Sequence, residues 1–157
     1  MSTDRQGGFE DLDCYQLAVQ VMQEAYRVVR VLPVEEKYNL ASQIRRSAVS
    51  SVLNIAEGYG RYHYLDSLRF FYIARGSLTE TLSAFVVCDR LGYGEGNLAE
   101  QRSLCHQTIR SLNGYIRYVR TQQQGAQEFG HHVLHESQNA YEIERSITIE
   151  GHGEGIP

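Results

Sequence analysis

The sequence predicts an all-α protein, an antiparallel up-and-down four-helix bundle, and three observations predict it. Four stretches of about 20 residues place apolar side chains three and four apart, the spacing of one helix face. Proline or glycine separates these stretches, so the connections are short and neighbouring helices run antiparallel. At 157 residues the chain is the size of one domain and long enough to bury roughly 70% of the surface its unfolded form exposes.

The first helix is expected from about Leu12 to Leu32, with Leu12, Tyr15, Ala18, Val19, Met22, Tyr26 and Val29 on its inner face. Pro33 ends it, because proline lacks an amide donor and drives the preceding residue out of the helical region. The second helix is expected to open at Glu35 and Glu36, where the helix dipole favours carboxylates, and to run to Glu57. Its inner stripe is Leu40, Ile44, Ala48, Val52, Ile55 and Ala56, with Gly58 at the left-handed C-cap.

The third helix is expected after the tyrosine-rich turn from Tyr62 to Tyr64, with Asp66 in its first turn and Leu68, Phe71, Leu78, Leu82 and Phe85 inward. It ends near Leu91, before the glycines of the 92–96 loop. Asn97 is the expected N-cap of the fourth helix. There Leu98, Cys105, Leu112 and Val119 repeat every seven residues, with Gln101, Thr108 and Tyr115 between them. Residues 1–123 form the expected bundle domain. Residues 124–157 read as an acidic, mostly disordered tail that cannot bury enough apolar surface to offset its ordering entropy, although a short helix around Gln138 to Glu144 is compatible with it.

Charge divides the same way. The net charge of −4 arises from 14 Lys+Arg against 13 Asp+Glu in residues 1–123, and 1 against 6 in the tail. The first residues lack the basic start and apolar core of a secretory signal, and no window holds 18 consecutive apolar residues. The expected location is therefore cytoplasmic, without a membrane. Cys14, Cys88 and Cys105, odd in number and far apart, read as reduced core thiols.

Enzyme chemistry finds little support. Helices two to four contain no Glu-x-x-His pair of the kind a di-metal bundle uses. His131, His132 and His135 of the tail could converge on a metal only if that segment became helical, and it has no fixed scaffold. Ser47, Ser50, Ser51 and Ser77 lack a nucleophile elbow and read as small packing residues. No catalytic residue, metal, cofactor or small-molecule substrate is expected.

Polar residues set among the apolar stripes carry more information. Gln43, Asn54, Glu57, Ser77 and Glu80 form an expected structural polar network, in which close approach of helices at Gly76 and Ser77 lets Glu57 or Glu80 reach an arginine across the bundle. Arg45, Arg46, Arg61, Arg69 and Arg75 are candidates for phosphate contact, since the guanidinium fork suits phosphate oxygens. Arg110, Arg117 and Arg120 add to them on helix four. Tyr115 and Tyr118 lie among those arginines, placed to stack on unpaired bases. For each of these residues the simpler reading is a solvated helix face. Apolar residues outside the inner stripes, Val28, Val31, Phe70, Tyr72 and Val87, together with the 11 tyrosines, suggest subunit contacts.

The blocks FEDLDCYQLA at 9–18, QIRRSAVSSVLNIAEGYGR at 43–61 and ARGSLTE at 74–80, with the proline after helix one, resemble the four-helix bundle family named for proteins encoded in intervening sequences of 23S ribosomal RNA genes. The resemblance spans about residues 9–120. It implies an up-and-down bundle assembled as a ring-shaped homopentamer, and no catalytic activity. The family's recurrent positions map onto Gln43, Arg45, Arg46, Ser50, Asn54, Glu57, Gly58, Gly76, Ser77 and Glu80. A related branch comprises the accessory variability proteins of diversity-generating retroelements, basic barrels that bind RNA or DNA and a reverse transcriptase. This chain departs from that branch in its near-neutral body and acidic tail, which can compete with nucleic acid for the arginines. The expected function is a non-enzymatic nucleic-acid-binding scaffold or accessory protein acting as a homopentamer. The alternative is an adaptor that docks a protein such as a reverse transcriptase without touching nucleic acid.

Overall fold

The computed structural model describes residues 7–93 and 97–124. The expectations for the acidic tail, its short helix and its histidines lie outside the described residues, as does the loop at 94–96. Within them the secondary structure is helical throughout. Helices α1 (Asp13–Arg30), α2 (Leu40–Tyr59), α3 (Tyr64–Arg90) and α4 (Ala99–Gln122) are accompanied by 3-10 turns at Phe9–Asp11 and Val34–Tyr38. Each helix packs on the next, and α4 closes back against α1, with α2 and α3 the most extensively packed pair. This is a four-helix bundle.

Heptad spacing runs through the core. Buried positions fall at Cys14, Ala18, Val21, Ala25 and Val28 on α1, and at Ala41, Ile44, Ala48, Ser51, Ile55 and Gly58 on α2. On α3 they fall at Tyr64, Ser67, Phe71, Ala74, Leu78, Thr81, Phe85 and Cys88. Such alternation of threes and fours keeps one seam facing its neighbours and suits nearly antiparallel, interdigitated packing.

On α1 the buried seam is rotated from the expected one. Tyr26 is exposed and Tyr15, Val19, Met22 and Val29 lie at the margin, whereas Cys14, Ala18, Ala25 and Val28 point to the centre. Small residues occupy the place where helices approach closely, and the larger apolar side chains seal the flanks. Val28 is thus core and not subunit surface.

The second helix begins later than expected, because Glu35 and Glu36 lie in the 3-10 turn after Pro33. Glu36 still serves the helix start from outside. Its carboxylate accepts the Leu40 amide at 3.2 Å, the Asn39 side-chain amide at 3.1 Å and the Tyr93 hydroxyl at 3.2 Å. At the other end α2 continues through Gly58 to Tyr59, and Gly60 is right-handed at φ −73°. Gly58 is therefore not a left-handed cap. A Cβ there would lie 2.6 Å from the Phe71 ring, so glycine is required for contact between α2 and α3.

The link from α3 to α4 uses Gly92 at φ 72°, a left-handed turn that suits glycine. Leu98, not Asn97, occupies the N-cap position, and two side chains divide the capping between them. Asp89 accepts the Leu98 amide at 2.8 Å and pairs with Arg102 at 3.2 Å, while Asn97 accepts the Ala99 amide at 3.1 Å. At the opposite end of the bundle the Tyr64 amide donates to the Gln124 carbonyl at 3.1 Å, and the Tyr59 hydroxyl donates to the Gly7 carbonyl at 2.6 Å. These bonds bring the start of α1, the end of α2, the start of α3 and the end of α4 together.

Candidate nucleic-acid interface

Helix α4 carries its arginines on one flank. Arg110, Asn113, Arg117 and Arg120 are spaced three, four and three apart, which aligns them along one side. Arg110 and Arg117 are exposed, while Arg120 is half-buried. From Gln101 to Gln124 the chain contains Arg102, Arg110, Arg117 and Arg120 and no Asp or Glu. Arg102 is engaged by Asp89 at the far end. Arg110 and Arg117 are therefore exposed cations on a stretch of α4 that carries no carboxylate of its own.

One arginine of α3 joins this flank. Arg75 donates from Nη1 to the Asn113 side-chain oxygen at 3.1 Å, with its guanidinium 5.0 Å from the Tyr72 ring centroid. Asn113 and Tyr72 thus position Arg75 beside the α4 stripe, a role that the sequence reading did not assign to them. The available signal was the spacing of Asn113 between Arg110 and Arg117. Arg69 lies exposed on α3, six residues before Arg75.

The other candidates lie elsewhere. Arg45 is half-buried and donates to the Lys37 carbonyl at 3.3 Å, bracing the 3-10 turn, and Arg46 is exposed on α2. Since α2 packs on α1 and α3 and lies diagonal to α4, these two do not join the α4 stripe. Arg61 pairs with Glu57 and lies 4.7 Å from the Phe70 ring centroid, at the end of the bundle.

The polar network is built differently from the expectation. Gln43 and Glu80 are exposed, and Glu57 pairs with Arg61 on the following turn instead of across the bundle. Gly76 has open space where a Cβ would be, so close helix approach does not explain it. Hydroxyls make the cross-links between α2 and α3. Ser47 and Thr81 meet at 2.8 Å and Ser50 and Ser77 at 2.8 Å, while Asn54, on the same helix as Ser50, donates to the Ser50 hydroxyl at 3.1 Å. Short hydroxyl side chains can pair between closely packed helices, where an arginine and a carboxylate would need more space and solvation.

Tyr115 and Tyr118 stack at 5.9 Å between centroids with 26° between their planes, and the edge of Tyr115 meets Phe71 at 5.3 Å. Burial pushes the Tyr115 hydroxyl up to about 12. Tyr118 is 55% exposed. Both line a cleft of about 1080 Å³ at the end of the bundle, which Tyr59, Arg61, Tyr62 and Tyr64 also line. The tyrosines around Gly60 therefore belong with those of α4, although 50 residues of sequence separate them. Their clustering as GYGRYHY was the visible sign, and only the fold connects it to α4.

No helix among the described residues is long and apolar enough to cross a membrane. Among those residues no group of three or more His, Cys, Asp or Glu side chains is placed to hold a metal ion.

Residues 10–114 match the family described as 23S rRNA-intervening sequence protein. The chain belongs to this family. The matched span takes in α1, α2, α3 and α4 as far as Gly114. Within this intervening-sequence protein, Arg45, Arg46, Arg61, Arg69, Arg75 and Arg110 lie inside the span, and Tyr115, Arg117, Tyr118 and Arg120 lie beyond it. No curated protein is significantly similar to the chain.

Proposed function

We propose that this intervening-sequence protein is a non-enzymatic scaffold that binds RNA or DNA through the α4 arginine flank and acts as a homo-oligomer, a homopentamer by the resemblance noted above. The observation that carries the reading is the carboxylate-free run from Gln101 to Gln124, with Arg110 and Arg117 exposed along it and Arg75 held beside it. Helix-dipole stabilisation accounts for cations in a last turn only, and Arg110 lies about three turns from the end of α4. The family's name, which ties it to ribosomal RNA genes, supports RNA as the nucleic acid. Self-assembly is supported by exposed apolar side chains on α2 and α3, with Leu53 62%, Ile73 44% and Val87 42% exposed.

Those same side chains favour the second reading, an adaptor that docks a protein partner such as a reverse transcriptase. The two readings separate by salt. Binding of the purified full chain to structured RNA and to single-stranded DNA is measured at about 50 and 200 mM salt, with the particle mass determined in both buffers. Micromolar binding that weakens at least about tenfold at the higher salt supports the scaffold. A stable oligomer that binds neither probe at the lower salt leaves the adaptor.

A further inference from the structure

We infer that the tyrosine cleft at the end of the bundle receives an unpaired base of single-stranded nucleic acid, stacked on Tyr118 while the α4 arginines hold the flanking phosphates. This assignment rests on the proposed nucleic-acid binding and adds a base-reading site to it.

Four features of the cleft carry the assignment. Its volume of about 1080 Å³ is just above the roughly 300–1,000 Å³ typical of small-molecule sites, ample for a nucleotide. Among the described residues that line it six are aromatic and none is acidic, so a phosphate meets no opposing carboxylate from them. Tyr118 stacks with Tyr115 at 5.9 Å between centroids, lines the cleft and is still 55% exposed. Gln122 and Gln124 also line the cleft, and side-chain amides of this type both donate to and accept from base edges.

The floor is rigid. Phe71 is fully buried, lies edge-on to Tyr115 and fills the space over Gly58. Tyr115 is thereby held from below and keeps Tyr118 in a defined orientation, which lowers the entropy lost when a base stacks. Arg117 and Arg120 leave α4 on the side away from Tyr115, roughly 100° and 160° round the helix from Tyr118, so the backbone of a strand whose base stacks on Tyr118 reaches them by passing round α4. Arg61 also lines the cleft, but it shares its charge with Glu57, and its main contribution is packing over Phe70.

A base within a duplex already has both faces stacked and cannot enter such a cleft without leaving its helix. Single-stranded segments and loops present their bases directly, and base–aromatic stacking is largely indifferent to sequence. The ligand class is therefore an unpaired strand with weak sequence preference.

The test uses the full chain and three labelled probes at about 50 mM salt: a deoxythymidine strand, a strand of equal length bearing abasic sites, and a duplex. Wild type binds the base-bearing strand about tenfold more tightly than the abasic one. Tyr118→Ala lowers affinity for the base-bearing strand to the abasic level and leaves abasic binding, helicity and particle mass unchanged, whereas Tyr118→Phe retains the preference. Equal wild-type affinity for base-bearing and abasic strands overturns the base site while sparing the phosphate-binding reading. So does a Tyr118→Ala loss that is the same for both strands. Failure of all three probes to bind overturns the base site, and failure of structured RNA to bind as well overturns the proposed function itself.

Discussion

Gly58 shows how much a single side chain decides in this bundle. The Cβ of an alanine would lie 2.6 Å from the Phe71 ring, and that ring also supports Tyr115 from below. Gly58→Ala is expected to destabilise the fold by about 1–3 kcal/mol, read from urea unfolding, the usual cost of overpacking a core. The hydroxyl pair Ser47–Thr81 is a second such point, since both groups are buried and meet at 2.8 Å. Ser47→Ala and Thr81→Val are each expected to cost about 1 kcal/mol, with the double variant costing less than their sum. Additive losses would show that the hydroxyls do not interact. Burial also raises Cys14 and Cys88 to about 11 and Cys105 to about 12, from an ordinary value of 9.0. In the unfolded chain these thiols ionise near their ordinary value while the folded protein still holds their protons. Their contribution is complete below that value and is lost as pH rises through the raised one. The urea midpoint is therefore expected to fall between pH 8 and pH 11, and a flat profile would contradict the burial of the thiols. The pairing of small hydroxyls was not legible in the sequence, because Ser47, Ser50, Ser77 and Thr81 acquire partners only when α2 and α3 meet.

The helices themselves were legible, since each has an apolar period and a glycine or proline near its end. What misled was side-chain size. Reading α1 by its largest apolar residues placed Tyr26 inside and Val28 outside, while the bundle centre takes Cys14, Ala18 and Ala25 and leaves Tyr26 exposed. The start of α2 was misplaced for a related reason. Glu36 looks like a first-turn carboxylate, and it does accept the Leu40 amide, but from a preceding 3-10 turn. Gly76 presents the opposite case, a glycine in the exposed middle of α3 with nothing near a would-be Cβ. Alanine at this position is expected to stabilise an isolated bundle by about 1 kcal/mol. If the α3 surface around Ile73 and Gly76 is covered by another subunit, Gly76→Ala instead lowers the particle mass measured by light scattering at low concentration. A stabilised protein of unchanged mass would place the subunit contact elsewhere.

At the scale of the whole molecule, charge and position matter more than net totals. The arginines of α2 and those of α4 looked equivalent in the sequence, yet they lie on diagonal helices, and it is Arg75 of α3 that is drawn to the α4 flank. The tyrosines of the 59–64 turn and of α4 were separate features until the end of the bundle gathered them into one cleft. Family membership, shown over residues 10–114, accounts for the bundle and leaves the basic, aromatic end of α4 as this chain's most informative surface. Exposed arginines of α4 are proposed to contact phosphate, and the salt dependence of RNA binding for wild type and for Arg110→Ala and Arg117→Ala reads those contacts one by one. Each removed phosphate contact is expected to reduce the slope of log affinity against log salt by about 0.7–0.9, with weaker binding at low salt and unchanged helicity. Slopes identical to that of wild type in both variants would show that these arginines do not contact phosphate.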